Sequence, residues 1–472
     1  MKPTATIVCV FFFFCFMIDS VALVRAGESQ SNRTIKSASS ESGNRDAANG
    51  KDKKKYGFKN GREPGQIDRV KVQLKVSGEM INIVDRKEQR EKMSVDCDLD
   101  YDEKTLEIPT NDENISRSIR SYNKAEAAIK VGDMNFKPIL GPERTLIVDE
   151  ITPQTVLLFS PRGPLTYKEL ELIDVQADSL LMDRFLPDKP VAVGDAWKHS
   201  EKLMAQLLGL DEVGQTDVQS VLKEVTDQVA RFEMSGKVAG AIDGVTSEVE
   251  IQARYRFILR NKRIDWLGMR ILEQRRSSPV SDGFNTVAIL QVNIVPEGQT
   301  ARLSEAELKD LPMRSTPELT KLYHVSKQGG WEVTHDRNWY IFRDKQDLAI
   351  LRRLEKGEVI AQGHISSLPQ AKPDKLVSLE DFQADVKKAL AKEFKEFVEA
   401  GQTVDEANRR VLRVVLRGVA SDLPIMWIYY HIADQQGRQM ACVFTFEEKY
   451  ADLFGKTDQK LIDSLQFIEA KQ

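Results

Sequence analysis

TDVQSVLKEVTDQVARFEMSGKVAGAIDGVTSEVEIQARYRFILRNKRIDWLGMRILEQRRS, from Thr216 to Ser277, alternates apolar and polar residues over runs of strand length. A period of two puts one face of each run in a core and the other in water. Asp243-Gly244, Asn261-Lys262 and Asp282-Gly283 are turn signals that divide this text, with FNTVAILQVNIV (Phe284–Val295), into neighbours of hairpin length. The expectation is an antiparallel meander that must curl, or be covered by helices, to hide its apolar face.

The same alternation runs upstream through DRVKVQLKVSG (Asp68–Gly78), EKMSVDCDLDYDEKTLEI (Glu91–Ile108) and RTLIVDEITPQTVLLFS (Arg144–Ser160). Helices are expected at three places. ISRSIRSYNKAEAAIKVG places Ile115, Ile119, Tyr122 and Ile129 near one helical face and ends at Gly132. In LTYKELELI, Thr166 and Glu169 stand at capping-box spacing. A third, short helix spans Glu201–Leu208.

PEGQTARLSEAELKDLPMRSTPELTK (Pro296–Lys321) is polar and punctuated by proline, which marks a domain boundary. Beyond it, Trp331–Asp344, Leu348–Pro369, Arg409–Val419 and Ile425–Phe446 read as strands. SLEDFQADVKKALAKEFKEFVEAG reads as one helix from Ser378 to Gly401, with Leu379, Phe382, Val386, Leu390, Phe394 and Phe397 as its stripe. Two short amphipathic helices close the chain. The fold class is α+β: a curved antiparallel sheet domain with covering helices, then an α/β/α sandwich around an antiparallel sheet.

The chain has 472 residues, 41% apolar and 30% charged, which is globular in composition and too long for one core. Its formal net charge is only −4, so no global field selects nucleic acid or an acidic membrane. The start, MKPTATIVCVFFFFCFMIDSVALVRAGES, has one lysine, an apolar stretch too short to span a bilayer, then small residues: a signal peptide over 1–26 and export are expected. Residues 27–65 are nearly devoid of apolar side chains and read as a disordered leader, whose basic run Lys51–Lys55 could touch a membrane or other anionic surface. The folded domains are then expected over 66–300 and 319–472, with 301–318 as linker.

Three patterns hint at chemistry. Asp96, Asp98, Asp100, Asp102 and Glu107 fall at the ligand positions of an EF-hand-like calcium loop, but Tyr101 occupies the place of its glycine. Met93, Val95, Cys97, Leu99 and Tyr101 alternate with those acids, so a strand with one wet face explains the same residues without exceptions, and it points Cys97 into the core. His431 and Cys442 flank a turn in PIMWIYYHIADQQGRQMACVFTF (Pro424–Phe446). Pairing Ala433 with Arg438 would put both on one face, whereas a slip of one residue separates them. Ala441, Val443 and Phe444 favour a neutral, inert thiol at Cys442. GVASDLP and GHISSLP hold serines near acids and histidines but no Gly-x-Ser-x-Gly elbow. The four cysteines and five histidines offer neither a disulfide framework nor metal-ligand spacing. The sequence therefore assigns no catalytic, cofactor-binding or metal-binding residue.

GWEVTHDRNWYIF (Gly330–Phe342), MWIYYHIADQQGRQMACVFTFEEKYADLF (Met426–Phe454) and DQKLIDSLQF (Asp458–Phe467) resemble the PsbP-like (Mog/PsbP) α/β/α sandwich: a strand after a Gly-Trp start, a Gly-Arg hairpin and a final helix with a Ser-Leu pair. That resemblance implies a non-enzymatic accessory or binding domain with a structural His431 and Cys442. LPDKPVAVGDAWK (Leu186–Lys198) and the strands after it are similar to uncharacterised exported proteins of planctomycetes, and the curled sheet resembles lipoprotein-carrier half-barrels in architecture alone. The functional expectation is an exported, non-enzymatic binding or assembly protein of the bacterial envelope, in the periplasm or outside the cell, without a cofactor. Its partner would be a protein or an apolar small molecule, not nucleic acid. The alternatives are a carrier of an apolar ligand or lipid on the first sheet, and a hydrolase using His431 or another histidine.

Overall fold

The computed structural model describes residues 54–84, 87–109, 114–242, 245–277, 282–345, 348–355, 358–371 and 376–468; the expected signal peptide and most of the expected leader lie outside them. Within these residues the protein is mostly β, with large antiparallel sheets and a few helices. The first sheet has 13 strands. Its longest members are consecutive partners, β1 (Ile67–Val84), β2 (Lys87–Glu107) and β3 (Ser116–Val131). On the other flank of β1 run Gly283–Glu297, Arg263–Arg275, Val245–Ile258 and Val229–Ile242 in spatial order, the meander read from the text.

Strict alternation sorts these strands into two faces. Val70, Leu74, Cys97, Leu99, Ile251 and Leu290 enter one large apolar cluster. The opposite face is wet and laced with charge pairs, among them Lys75–Asp96 at 3.6 Å and Lys124–Asp98 at 3.1 Å. The acids of the calcium-loop pattern are thus one face of β2, and their partners are lysines and arginines of its neighbours.

The apolar face is covered by the chain's own segment 165–210. Helix α1 (Tyr167–Ile173) starts with the expected capping box, in which the Thr166 hydroxyl accepts from the Glu169 amide and the Glu169 carboxylate accepts from the Thr166 amide. Helix α2 (Glu201–Leu208) is capped by Ser200 and stopped by Gly209 at φ +67°. Leu172, Leu181, Met182, Phe185, Met204 and Leu207 from these elements and the turn between them fill the sheet. Phe232 stacks on Tyr255 at 4.8 Å, and Phe185 meets Tyr255 at 5.7 Å.

Four stretches differ from their sequence reading. Ile115–Gly132 forms β3 rather than a helix. Asn123 is a bulge, with Asp100 opposite Lys124 but Tyr101 opposite Tyr122, so Tyr122 and Ala125 both face the core at a spacing of three. Ile119 faces the other side and packs with Leu146 and Phe159. The expected linker is packed there as well, through Leu303 and Leu308. The end of the expected leader is ordered: Phe58 sits edge-on between Phe232 and Phe257, at 5.0 and 5.5 Å, and Arg62 is buried. Finally, the helix from Ser378 ends at Leu390, Ala391 takes φ +48°, and Phe394–Val404 is a strand. Phe394 and Phe397 still pack in the same apolar cluster as Phe382 and Val386, which is why the stripe looked continuous.

That strand edges a seven-stranded antiparallel sheet in the C-terminal half. Helix α3 (Leu379–Leu390) packs on one face with Leu416 and Trp427; Phe454, Leu461 and Ile462 of the closing helices pack on the other with Val415 and Phe444. A small sheet joins the halves, since Leu322–Tyr323 pairs in parallel with Leu165–Thr166 just ahead of α1. Arg337 adds a second seam by donating to the Leu158 and Thr320 carbonyls at 2.6 and 2.7 Å.

Candidate functional site

The residues singled out in the sequence do not assemble into a reactive centre. Ala433 pairs with Gln439, one residue from the register that would bring His431 and Cys442 together, so Cys442 lies opposite Tyr430 and His431 opposite Ala441. His431 shares a 2.9 Å hydrogen bond with Gln439 and meets the Phe382 ring of α3, and burial lowers its pKa. Cys442 is fully buried in the cluster on the other face, and desolvation pushes its thiol up to about 12. Cys97 is likewise pushed up to about 12 by burial. Both thiols are therefore expected to resist alkylation at pH about 8 in the native protein and to react once it is unfolded. Peptide-level mass spectrometry after iodoacetamide treatment checks this; rapid native labelling of either would contradict it.

His199 Nε2 lies 2.7 Å from Ser220 Oγ, the one close histidine–serine contact among the described residues. Ser220 is completely buried, and burial holds His199 down at about 4. His324 and Ser326 both bond Asp344, at 3.0 and 2.6 Å, so the carboxylate rather than the imidazole receives the hydroxyl proton's hydrogen bond. Neither arrangement sets a base on an accessible nucleophile. Among the described residues no group of three or more His, Cys, Asp or Glu could hold a metal ion.

The chemistry concentrates instead where β2 and β3 meet the covering segment. Glu103 occupies the inward phase of β2, continuing the series Cys97, Leu99, Tyr101, and is completely buried. Arg120 of β3 donates to Glu103 at 2.8 Å, to Asp149 at 2.8 Å and to Asp178 at 2.7 Å. Ser118 and Ser179 add hydroxyl donors to Glu103 at 2.9 Å. Arg62 reaches Glu103 at 3.4 Å and Asp183 at 2.9 Å. Burial alone would raise the Glu103 carboxyl, but Arg120 and Arg62 overcome it and hold it at about 2. Asp149 takes the opposite course: burial lifts its carboxyl well above the usual range against the pull of Arg120, and its Oδ1 meets no donor. The network ties the loop 174–185 to the sheet.

Held this way, that loop forms one wall of an open cleft of about 670 Å³, whose other walls are residues 153–156, the start of α2 and residues 209–213. Asp174, Gln176 and Asp178 project from the loop, and Gln206 from α2. Gln206 is fixed at both ends, donating to the Thr152 carbonyl at 2.8 Å and accepting from Arg184 at 3.1 Å. Gln176 is only 7% exposed, and its Oε1 has no hydrogen-bond partner. Asp174 is exposed at the cleft wall. With its mixed polar and apolar walls, this cleft is a concave feature suited to binding.

No family model matches the chain, and no curated protein matches it. Among solved structures, the solution structure of the cyanobacterial PsbP of Synechocystis is similar over 31% of this chain and 92% of its own, with 15% identity and a TM-score of 0.24. A crystal structure from Bacteroides thetaiotaomicron is similar over 31% of this chain, with 10% identity and a TM-score of 0.23; the match spans 47% of that protein, less than half its length. OccAB4 of Acinetobacter baumannii matches over 81% of this chain and 98% of its own at 10% identity and a TM-score of 0.14. Such values assign neither a family nor an activity.

Proposed function

We propose that this chain is an exported, non-enzymatic binding or assembly protein of the cell envelope. The filled space between the first sheet and its covering segment carries this reading. A carrier of apolar ligands needs a continuous apolar cavity between sheet and helices. Here Phe185, Phe232, Tyr255, Phe257 and Phe284, each under 3% exposed, occupy that space together with Leu207 and Leu208. The outer face, with its ladders of charge pairs, has the character of a solvated surface rather than of a lipid-facing band. Export rests on the N-terminal pattern, and binding rests on the polar cleft.

Native mass spectrometry of the purified chain tests the choice between module and carrier. The expected spectrum is that of the bare polypeptide after organic-extractable material is assayed alongside; a stoichiometric lipid or other apolar adduct would overturn the module in favour of the carrier.

A further inference from the structure

The N-terminal segment crosses the ends of the meander strands before it enters β1. Lys55 and Tyr56 pair with Ala192 and Val191, Phe58 then inserts between Phe232 and Phe257, and the Gly61 amide donates to the Lys262 carbonyl at 2.8 Å. Lys262 stands in the turn between Val245–Ile258 and Arg263–Arg275, so close that a β-carbon on Gly61 would lie 2.9 Å from its own. Two stretches distant in sequence thus set Lys54, Lys55 and Lys59 along one rim with Arg260 and Lys262, all of them exposed. None of these cations enters an ion pair among the described residues, whereas those on the outer face of the same strands are paired, Arg254 with Glu233 at 3.2 Å and Arg256 with Asp265 at 2.7 Å. The exposed acids of this end are Glu63 and Asp227, while Asp188 and Lys189 cancel, so the rim keeps a net positive charge. Apolar surface is interleaved with it: Val193, next to the residue paired with Lys55, is 42% exposed, and Lys54 lies over the Tyr56 ring at 5.1 Å.

We propose that this rim docks the protein on an anionic phospholipid surface, with the lysines and Arg260 against the headgroups and Val193 and Tyr56 at the boundary with the acyl chains. This rests on the reading of the chain as an exported envelope protein and names the surface it meets there. Arg260 and Lys262 carry the basic run read at Lys51–Lys55 into the folded sheet, so the positive surface belongs to the fold and not to the leader alone. The chain has a formal net charge of −4, so the attraction is local to this rim. Each basic residue held near an anionic bilayer tightens binding by about fivefold, and a tyrosine and an aliphatic side chain beside such residues suit the interface, where an apolar body and a polar tip are both satisfied. The cations stand in a row along strand ends, with no exposed aromatic ring among them on which a base could stack, so a planar array of phosphates fits them better than a single-stranded nucleic acid.

Cosedimentation of the exported chain with vesicles of phosphatidylcholine alone, or of phosphatidylcholine with about one third phosphatidylglycerol, tests this. Tighter binding to the anionic vesicles is expected, with the excess lost as salt rises from about 0.1 to about 1 M. Arg260→Gln combined with Lys262→Gln, at exposed positions in a turn, should weaken that binding about tenfold or more, and Lys59→Gln, in the other stretch, about fivefold. Equal binding to the two vesicles, an excess that survives high salt, or a double variant that binds as the wild type does overturns the proposal, the last because it would leave the leader as the whole of the contact. Heparin run alongside separates a membrane from a soluble polyanion: binding to heparin with no preference between the vesicles also overturns it. Such a failure leaves the filled core standing, whereas a stoichiometric lipid adduct that salt does not release would overturn the module without touching the rim.

Discussion

Arg120→Met unfolds the protein more easily by about 3–5 kcal/mol, the usual effect of removing one partner from a buried ionic group. Methionine keeps the volume of the side chain but none of its donors. Glu103 then retains Arg62, Ser118 and Ser179, while Asp149 and Asp178 lose the guanidinium they share. Asp149 can escape by holding its proton, as its raised pKa already favours; Glu103, held at about 2, has farther to go. Arg120→Lys is not a rescue, because a single ammonium does not span three carboxylates as the fork does. Equilibrium urea unfolding measures the loss, and a shift under about 1 kcal/mol would show that the network is not what secures the loop. The same pairing makes the wild type acid-sensitive. Because the Glu103 carboxyl is lowered in the folded state, its stabilisation is complete above the ordinary value of 4.5 and is lost as pH falls toward about 2.

Phe185→Ala has an effect of similar size, about 3–5 kcal/mol, through a different mechanism. The ring is fully buried at the centre of the covering segment, against Tyr255 and the His199 ring. Its backbone carbonyl, which accepts from Trp197 Nε1 at 2.9 Å and Tyr255 OH at 3.3 Å, survives the substitution. The loss is therefore of packing alone, and the variant carries a cavity between sheet and segment. Differential scanning calorimetry reads the destabilisation; an unchanged melting temperature would mean that the segment packs loosely.

Both halves of the architecture were legible where the local pattern and the tertiary pairing agree. The alternation in Val245–Ile258 is a strand because nothing competes with it, and the capping box at Thr166 and the Ser378 cap start helices as read. Failure came where a local irregularity imitates another period. A bulge at Asn123 spaces inward residues as a helix would, and the break at Ala391 turns a helical stripe into a helix and strand that share one cluster. The hairpin register was open by one residue, and pairing with Arg410–Ala420 and Glu358–Leu368 settles it. Most of the candidate site was out of reach. Arg120 and Asp149 were hidden among assignments of helix and ordinary strand, and Asp174 and Gln176 lie in a loop without a motif. One signal was available: Glu103 stands in the inward phase of β2, as Asp68 does in β1, where Arg263 meets it at 2.6 Å. A carboxylate in an apolar series asks for a buried cation, and the fold answers with Arg120 and Arg62 at Glu103 and Arg263 at Asp68.

Fluorescent fatty-acid titration of the wild type beside Phe185→Ala asks whether the space between the first sheet and its covering segment is already full. No saturable uptake by the wild type is expected, and measurable uptake only where the ring has been removed. Stoichiometric, saturable binding by the wild type, unchanged in the variant, would contradict it.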